Sequence, residues 1–252
     1  MGGVSLGRVV VRRFFAFGCS FTNYRWRTWA DILGEQYDHY ENWGQAGAGN
    51  HYIFNAVMEC DQRRLWQTGD TVIVCWTNVT REDRYVNDRW LTMGNVATSQ
   101  CYTKEFVTEF VSDRGCVIRD MAMIKAVKVL LEARGVTWRF ISMCPLPQAD
   151  PWDTRKLNDC QDVYSLYQDV MDHMLPSFTE ILGVNFWQYN QDSRVRYPAG
   201  VIDYHPTPQE HLHYLDTVLP GWVHDSEVRR RAEQDKMTPS RCRNGSNHNQ
   251  RL

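Results

Sequence analysis

Phe14-Phe15-Ala16-Phe17-Gly18-Cys19-Ser20-Phe21-Thr22 is the stretch from which the rest of the chain can be read. Four apolar residues in succession, with no polar alternation, suit a strand covered on both faces. Gly18 lets the chain turn sharply where that strand stops. Ser20 then falls at the strand's carboxyl end, which is where open α/β sheets bind their ligands. A hydroxyl in that place has a chemical reading, and it equally suits a cap on the helix that follows.

Outward from this stretch, strand and helix alternate. Trp26, Trp29, Ala30 and Leu33 keep the three-and-four spacing of a helix face over 24–33, and Gly34 follows as a stop. A short strand over 37–43 runs into the glycine-rich Asn42-Trp43-Gly44-Gln45-Ala46-Gly47-Ala48-Gly49-Asn50, and a helix is expected over 51–60. Thr71-Val72-Ile73-Val74-Cys75-Trp76 is β-branched, continuous and closed by Thr77-Asn78. The next stretch, to about residue 100, shows no period and reads as a long loop able to cover a site. Val117, Met121, Ile124, Val127 and Leu131 then mark a helix that stops at Gly135, and 136–144 reads as the following strand. A long helix bent near Pro176 is expected over 159–182, and one last short strand within 183–202. Thr207-Pro208-Gln209-Glu210 is a capping box with proline at the first helical turn, so His205 sits on the loop ahead of an anchored helix.

Composition narrows the classes. The chain has 252 residues, 43% hydrophobic and 23% charged, enough for a full core in one domain. No apolar run approaches the roughly 18 residues of a membrane span. Residues 1–13 read as an N-terminal extension without the apolar core of a signal peptide, so a cytoplasmic protein is expected. A net charge of −2 argues against a nucleic-acid partner. The eight cysteines include no C-x-x-C pair, which argues against zinc, and the apolar setting of Cys19, Cys75 and Cys144 suits free thiols in a reducing compartment. His205, His211 and His213 are not spaced to share a metal, and no cofactor is expected. Residues 223–252, polar and poor in apolar side chains, read as a disordered tail after a domain over 14–222. The oligomeric state is left open.

Alternating β and α units predict a right-handed, doubly wound, mostly parallel sheet of about five strands. Its carboxyl edge would gather Ser20, the glycine loop at Gly47, Asn78 and the Asp203/His205 pair. These are the groups acyl transfer requires: a hydroxyl, an imidazole, an orienting carboxylate and oxyanion donors.

The residues resemble the SGNH, or GDSL, hydrolases. Gly18-Cys19-Ser20-Phe21 is similar to that family's first block, usually Gly-Asp-Ser. Asn42-Trp43-Gly44-Gln45-Ala46-Gly47 is similar to the second, Trp76-Thr77-Asn78 to the third, and Asp203-Tyr204-His205-Pro206 to the last. The order and spread match over roughly 14–220, and the chain looks especially like small members carried by phages. The resemblance implies a flavodoxin-like fold and a serine esterase. Its catalytic residues would be Ser20, His205 and Asp203, and its oxyanion hole would use Ser20, Gly47 and Asn78. Arg81 and Trp76 would bind a small-molecule or glycan ester, with an O-acetylated carbohydrate as the expected substrate. Cys19 and Val79 stand where the family has Asp, Trp76 stands where it has Gly, and one residue instead of two separates Asp203 from His205. A non-catalytic relative that binds glycan or belongs to a virion is the alternative. A nucleotide-binding domain is a third reading, although its glycines lack the Lys-Ser/Thr of a phosphate-binding loop.

Overall fold

Strand β1 (Arg13–Phe17) forms where the sequence is most apolar, and Phe14 to Phe17 have no exposed surface. In the computed structural model, which describes residues 11–99, 101–150, 153–182 and 205–235, β1 lies inside a four-stranded parallel sheet. The chain continues through α1 (Trp29–Gly34), β2 (His39–Asn42), α2 (Asn50–Arg64) and β3 (Thr71–Trp76). Next come β4 (Arg81–Val86), β5 (Arg89–Asn95), α3 (Lys104–Phe110), α4 (Asp113–Arg134) and β6 (Thr137–Ser142). A small hairpin, β7 (Gln148–Asp150) and β8 (Asp153–Lys156), precedes α5 (Gln161–Leu166), α6 (Gln168–Met171), α7 (Phe178–Ile181), α8 (Pro208–Val218) and α9 (Ser226–Gln234).

The sheet runs in the order β2-β1-β3-β6, with Phe14 to Phe17 paired to Thr71 to Val74 and Thr71 to Trp76 paired to Thr137 to Ser142. Every residue of β3 is buried, as a central strand covered on both faces must be. Helix α1 packs with α8 and α9, and α2 packs with α4. The doubly wound α/β architecture read from the alternation is therefore present, with four main-sheet strands among the described residues. The last strand expected within 183–202 lies outside them.

The strand order reverses direction between β1 and β3. In sheets of this kind the crevice outside that switch point is where ligands bind. Ser20 follows β1 and Asn78 follows β3, so the two flank it.

Three expectations are corrected. Residues 81–95 are not a structureless loop but an antiparallel hairpin, turned by Asn87 and Asp88, both left-handed at φ 50° and 59°. The long helix over 159–182 is broken into α5, α6 and α7, interrupted at Tyr167 and again around Pro176. Proline lacks the N–H that a continuous helix needs. Residues 223–235 are not tail: they contain α9, whose Val228 and Ala232 are buried. Residues 236–252 lie outside the described part of the chain.

Candidate active site

The site begins with a close approach. A side chain on Gly18 would place its Cβ 2.1 Å from Thr22 Oγ1 and 3.0 Å from Cys75 Cβ, so only glycine lets the end of β1 pass the end of β3. Beyond it the chain turns tightly. The Cys19 carbonyl accepts from the N–H groups of Thr22 at 2.9 Å and Asn23 at 3.2 Å, placing Ser20 within the turn. The Thr28 hydroxyl and the Asn42 amide both donate to the Thr22 carbonyl, at 2.7 and 2.8 Å. Ser20 is 8% exposed, whereas Cys19 points into the core with no exposed surface.

The glycine loop is bonded directly to this turn. The N–H of Trp43 donates to Ala16 O at 2.8 Å, that of Gln45 to Gly18 O at 3.0 Å, and the Asn23 amide to Gly44 O at 2.9 Å. Gly47 is left-handed, at φ 75°, and an added Cβ would stand 2.3 Å from the Thr92 carbonyl. Glycine is required there on both counts. The β4–β5 hairpin holds the loop from outside. Gly94 N–H donates to Gly47 O at 3.1 Å, and the Thr92 hydroxyl donates to Ala46 O at 2.7 Å while accepting from the Gln45 amide at 3.0 Å.

At the end of β3, Asn50 braces the backbone of Thr77 from both sides: its Oδ1 accepts from Thr77 N–H at 2.9 Å and its Nδ2 donates to Thr77 O at 3.0 Å. That same amide reaches the buried Asp120 at 2.7 Å. Burial pushes the Asp120 carboxyl up to about 6, against the pull of the Arg119 guanidinium beside it. Asn78, 1% exposed, donates from Nδ2 to Thr80 Oγ1 at 2.6 Å and accepts at Oδ1 from the Thr77 hydroxyl and from Arg81 Nε, at 3.2 and 3.0 Å.

Two expected substrate contacts are reassigned. Trp76 has no exposed surface and meets Phe140 edge-on with centroids 5.6 Å apart, so it is a core residue of a strand buried on both faces. All three Arg81 guanidinium nitrogens are engaged within the protein: Nε on Asn78, Nη1 on the Ala48 carbonyl at 2.9 Å and Nη2 against Met143 Sδ at 3.5 Å.

His205 arrives from the far end of the sequence. Its ring stacks on Tyr24 at 3.7 Å between centroids and lies 5.8 Å from the ring of Phe21, the neighbour of Ser20. The Trp26 indole donates to Pro206 O at 2.7 Å, a buried bond that fixes this loop to the segment after Ser20. Downstream, the capping box closes in both directions: Glu210 N–H donates to Thr207 Oγ1 at 3.2 Å, and Thr207 N–H donates to Glu210 at 2.7 Å. Asp203 lies outside the described residues. His211, on α8, is buried edge-on against Phe178, and desolvation together with nearby His205 pushes it down to about 3, so it stays neutral. Among the described residues no group of three His, Cys, Asp or Glu side chains is placed to hold a metal.

A hydroxyl, an imidazole, a glycine turn and a carboxamide are thus carried by four loops tied to one another by hydrogen bonds and ring contacts. The hairpin and the Asn50–Asp120 brace went unseen in the sequence, although Asn87-Asp88, a pair that tolerates left-handed backbone, signals a two-residue hairpin turn.

No protein-family model matches the chain, and no curated protein does. Solved structures similar to it include a psychrotrophic esterase from Pseudoalteromonas sp., 11% identical over 84% of this chain and 99% of that one, with a TM-score of 0.45. A second is a member of the lipolytic protein G-D-S-L family from Veillonella parvula, 13% identical over 82% of this chain and 96% of that one, with a TM-score of 0.42. A third is an acetylxylan esterase from Geobacillus stearothermophilus, 12% identical over 92% of this chain and 97% of that one, with a TM-score of 0.39.

Proposed function

We propose that this chain is a serine ester hydrolase in which Ser20 is the nucleophile, His205 the base and Asp203 the carboxylate that orients it. One observation carries the reading: the Ser20 turn is bonded to the glycine loop through Gln45 N–H and Gly18 O, and to the His205 loop through Trp26 and Pro206. These two ties support the reading, because they join loops from three distant parts of the sequence beside the sheet's switch point.

His205 takes the Ser20 proton as Oγ attacks the ester carbonyl. The oxyanion that develops is met by the Ser20 and Gly47 N–H groups and the Asn78 amide. Collapse expels the alcohol, which receives the proton from His205. Water, deprotonated by the same imidazole, then attacks the acyl-serine, releasing the carboxylic acid and restoring the hydroxyl. We assign the substrate to short acyl esters of a carbohydrate, O-acetyl groups foremost. The hairpin beside the glycine loop presents Tyr85, 42% exposed, against Trp90, and such aromatic edges suit the C–H face of a sugar ring.

Intact-mass detection of a fluorophosphonate adduct tests the proposal. The wild type should gain one adduct, Ser20→Ala none, and His205→Ala should react far more slowly. Acetate release from acetylated glycans should follow the same order. A folded wild type that takes no label would overturn the enzyme in favour of a binding module.

A further inference from the structure

Resting on the hydrolase reading above, we infer that Arg81 is a positioning residue: its guanidinium fixes the orientation of the Asn78 amide and ties it to the glycine loop, so that two oxyanion donors from different strands are held as one unit. An Asn side chain is nearly symmetric in shape but not in chemistry, since a half-turn exchanges an acceptor for two donors. Only one orientation offers N–H to an oxyanion.

Here the orientation is set at both ends of the amide. Oδ1 accepts from Arg81 Nε at 3.0 Å and from the Thr77 hydroxyl at 3.2 Å, and a flipped amide would aim its N–H groups at a cation. Nδ2 donates to Thr80 Oγ1 at 2.6 Å, and that hydroxyl accepts a second bond from the Asn95 amide at 3.0 Å, which keeps it an acceptor on this side. The cation on the carbonyl oxygen also draws electron density from the amide and strengthens its N–H as a donor.

The other reach of Arg81 gives the arrangement its span. Nη1 donates to the carbonyl of Ala48, the residue after Gly47, at 2.9 Å. One planar side chain therefore joins the loop after β2 to the loop after β3. A lysine is a poor replacement, because a single ammonium cannot present this fork to two acceptors. The backbone behind Arg81 is itself held: Arg119 Nη2 donates to Arg81 O at 3.1 Å, and Arg119 pairs with the buried Asp120 and with Glu82.

The test is a double-mutant cycle on 4-nitrophenyl acetate hydrolysis, joined to nitrogen–proton NMR of the Asn78 side-chain amide, identified by its loss in Asn78→Ala. Arg81→Met should lower kcat about tenfold or more with KM nearly constant, and Arg81→Lys should fall between it and wild type. In an Asn78→Ala background, Arg81→Met should add less than about threefold, because the amide it orients is gone and only its single bond to the glycine loop is left to lose. The Asn78 amide pair should be well dispersed in the wild type and shift or broaden in Arg81→Met. Full additivity in the cycle, or an amide pair unmoved by Arg81→Met, overturns the inference. Absence of Ser20-dependent hydrolysis overturns the enzyme itself and with it the catalytic role, while the amide pair still reports separately whether the clamp exists.

Discussion

His211 shows at the scale of one residue how this fold treats a titratable group it cannot solvate. The ring is buried between α8 and Phe178, its Nδ1 has no hydrogen-bond partner among the described residues, and it is held neutral down to about pH 3. An unfolded chain takes up that proton near pH 6.5. The folded-state value is depressed for a base, so the unfolded state binds more protons below about 6.5, and stability falls as the pH drops from there toward 3. The slope for such a group approaches roughly 1.4 kcal/mol per pH unit. His211→Gln removes the proton site while keeping a polar group of similar size. Urea midpoints taken from pH 7 to pH 4 should therefore fall less steeply for His211→Gln than for the wild type. Parallel slopes would mean that His211 is protonated in the native state.

Among the elements, the β4–β5 hairpin shows where sequence reading succeeds and where it stops. Strand β3 was legible to the residue because a buried parallel strand must be apolar throughout, and α8 was legible because its capping box is written in four consecutive residues. The hairpin's charged strand, Arg-Glu-Asp-Arg, carries no such pattern, because Arg81, Glu82 and Asp83 are turned to partners far away in sequence, at Ala48, Arg119 and Gly49. Asp83 is the clearest case: fully buried, it accepts from Gly49 N–H at 2.9 Å and from Tyr52 N–H at 2.8 Å, capping α2 in place of the glycine at that helix's own N-cap. A cap supplied from 31 residues downstream leaves no local signature. Asp83→Ala strands those N–H groups and should cost roughly 1–3 kcal/mol in urea unfolding. It should also loosen the hairpin from the Gln45–Gly47 loop, so that ester turnover falls by more than the lost stability explains. Asp83→Asn keeps the shape and loses the charge at the helix N-terminus, and should cost less, about 0.3–1 kcal/mol. Equal stability of wild type and Asp83→Ala would refute the cap.

At the scale of the whole molecule, α9 holds together the two helices that follow the candidate nucleophile and base. Helix α1 comes after the Ser20 turn and α8 after His205, and α9 packs on both. Its composition, Ser-Glu-Val-Arg-Arg-Arg-Ala-Glu-Gln, looked solvated because only Val228 and Ala232 are apolar, yet these two lie four residues apart on one face and both are buried. The remaining grip is polar and again non-local. Gln36 Oε1 accepts from the N–H groups of His224 and Asp225 at 2.8 and 3.0 Å while its Nε2 donates to Trp222 O at 3.1 Å. Arg229 pairs with Asp216 of α8 at 2.6 Å, and Arg231 reaches Glu35 beside α1 at 3.0 Å. The exposed ion pairs contribute little each, so the apolar contacts and the Gln36 bonds carry the attachment. Ending the chain after Trp222 removes the burial of Val223, Val228 and Ala232, worth roughly 3–5 kcal/mol, which for a protein of this size lowers Tm by about 10 °C. Val228→Asp, which places one charge in the same contact without shortening the chain, should reproduce most of that loss, whereas Arg230→Ala, on the exposed face, should melt with the wild type. In fluorophosphonate labelling at a temperature where all variants are folded, the shortened chain and Val228→Asp should react more slowly, because α1 and α8 no longer share a common support. Melting of both within about 2 °C of the wild type would make α9 an appendage and leave the direct packing of α1 on α8 and the Trp26–Pro206 bond to tie the His205 loop to the segment after Ser20.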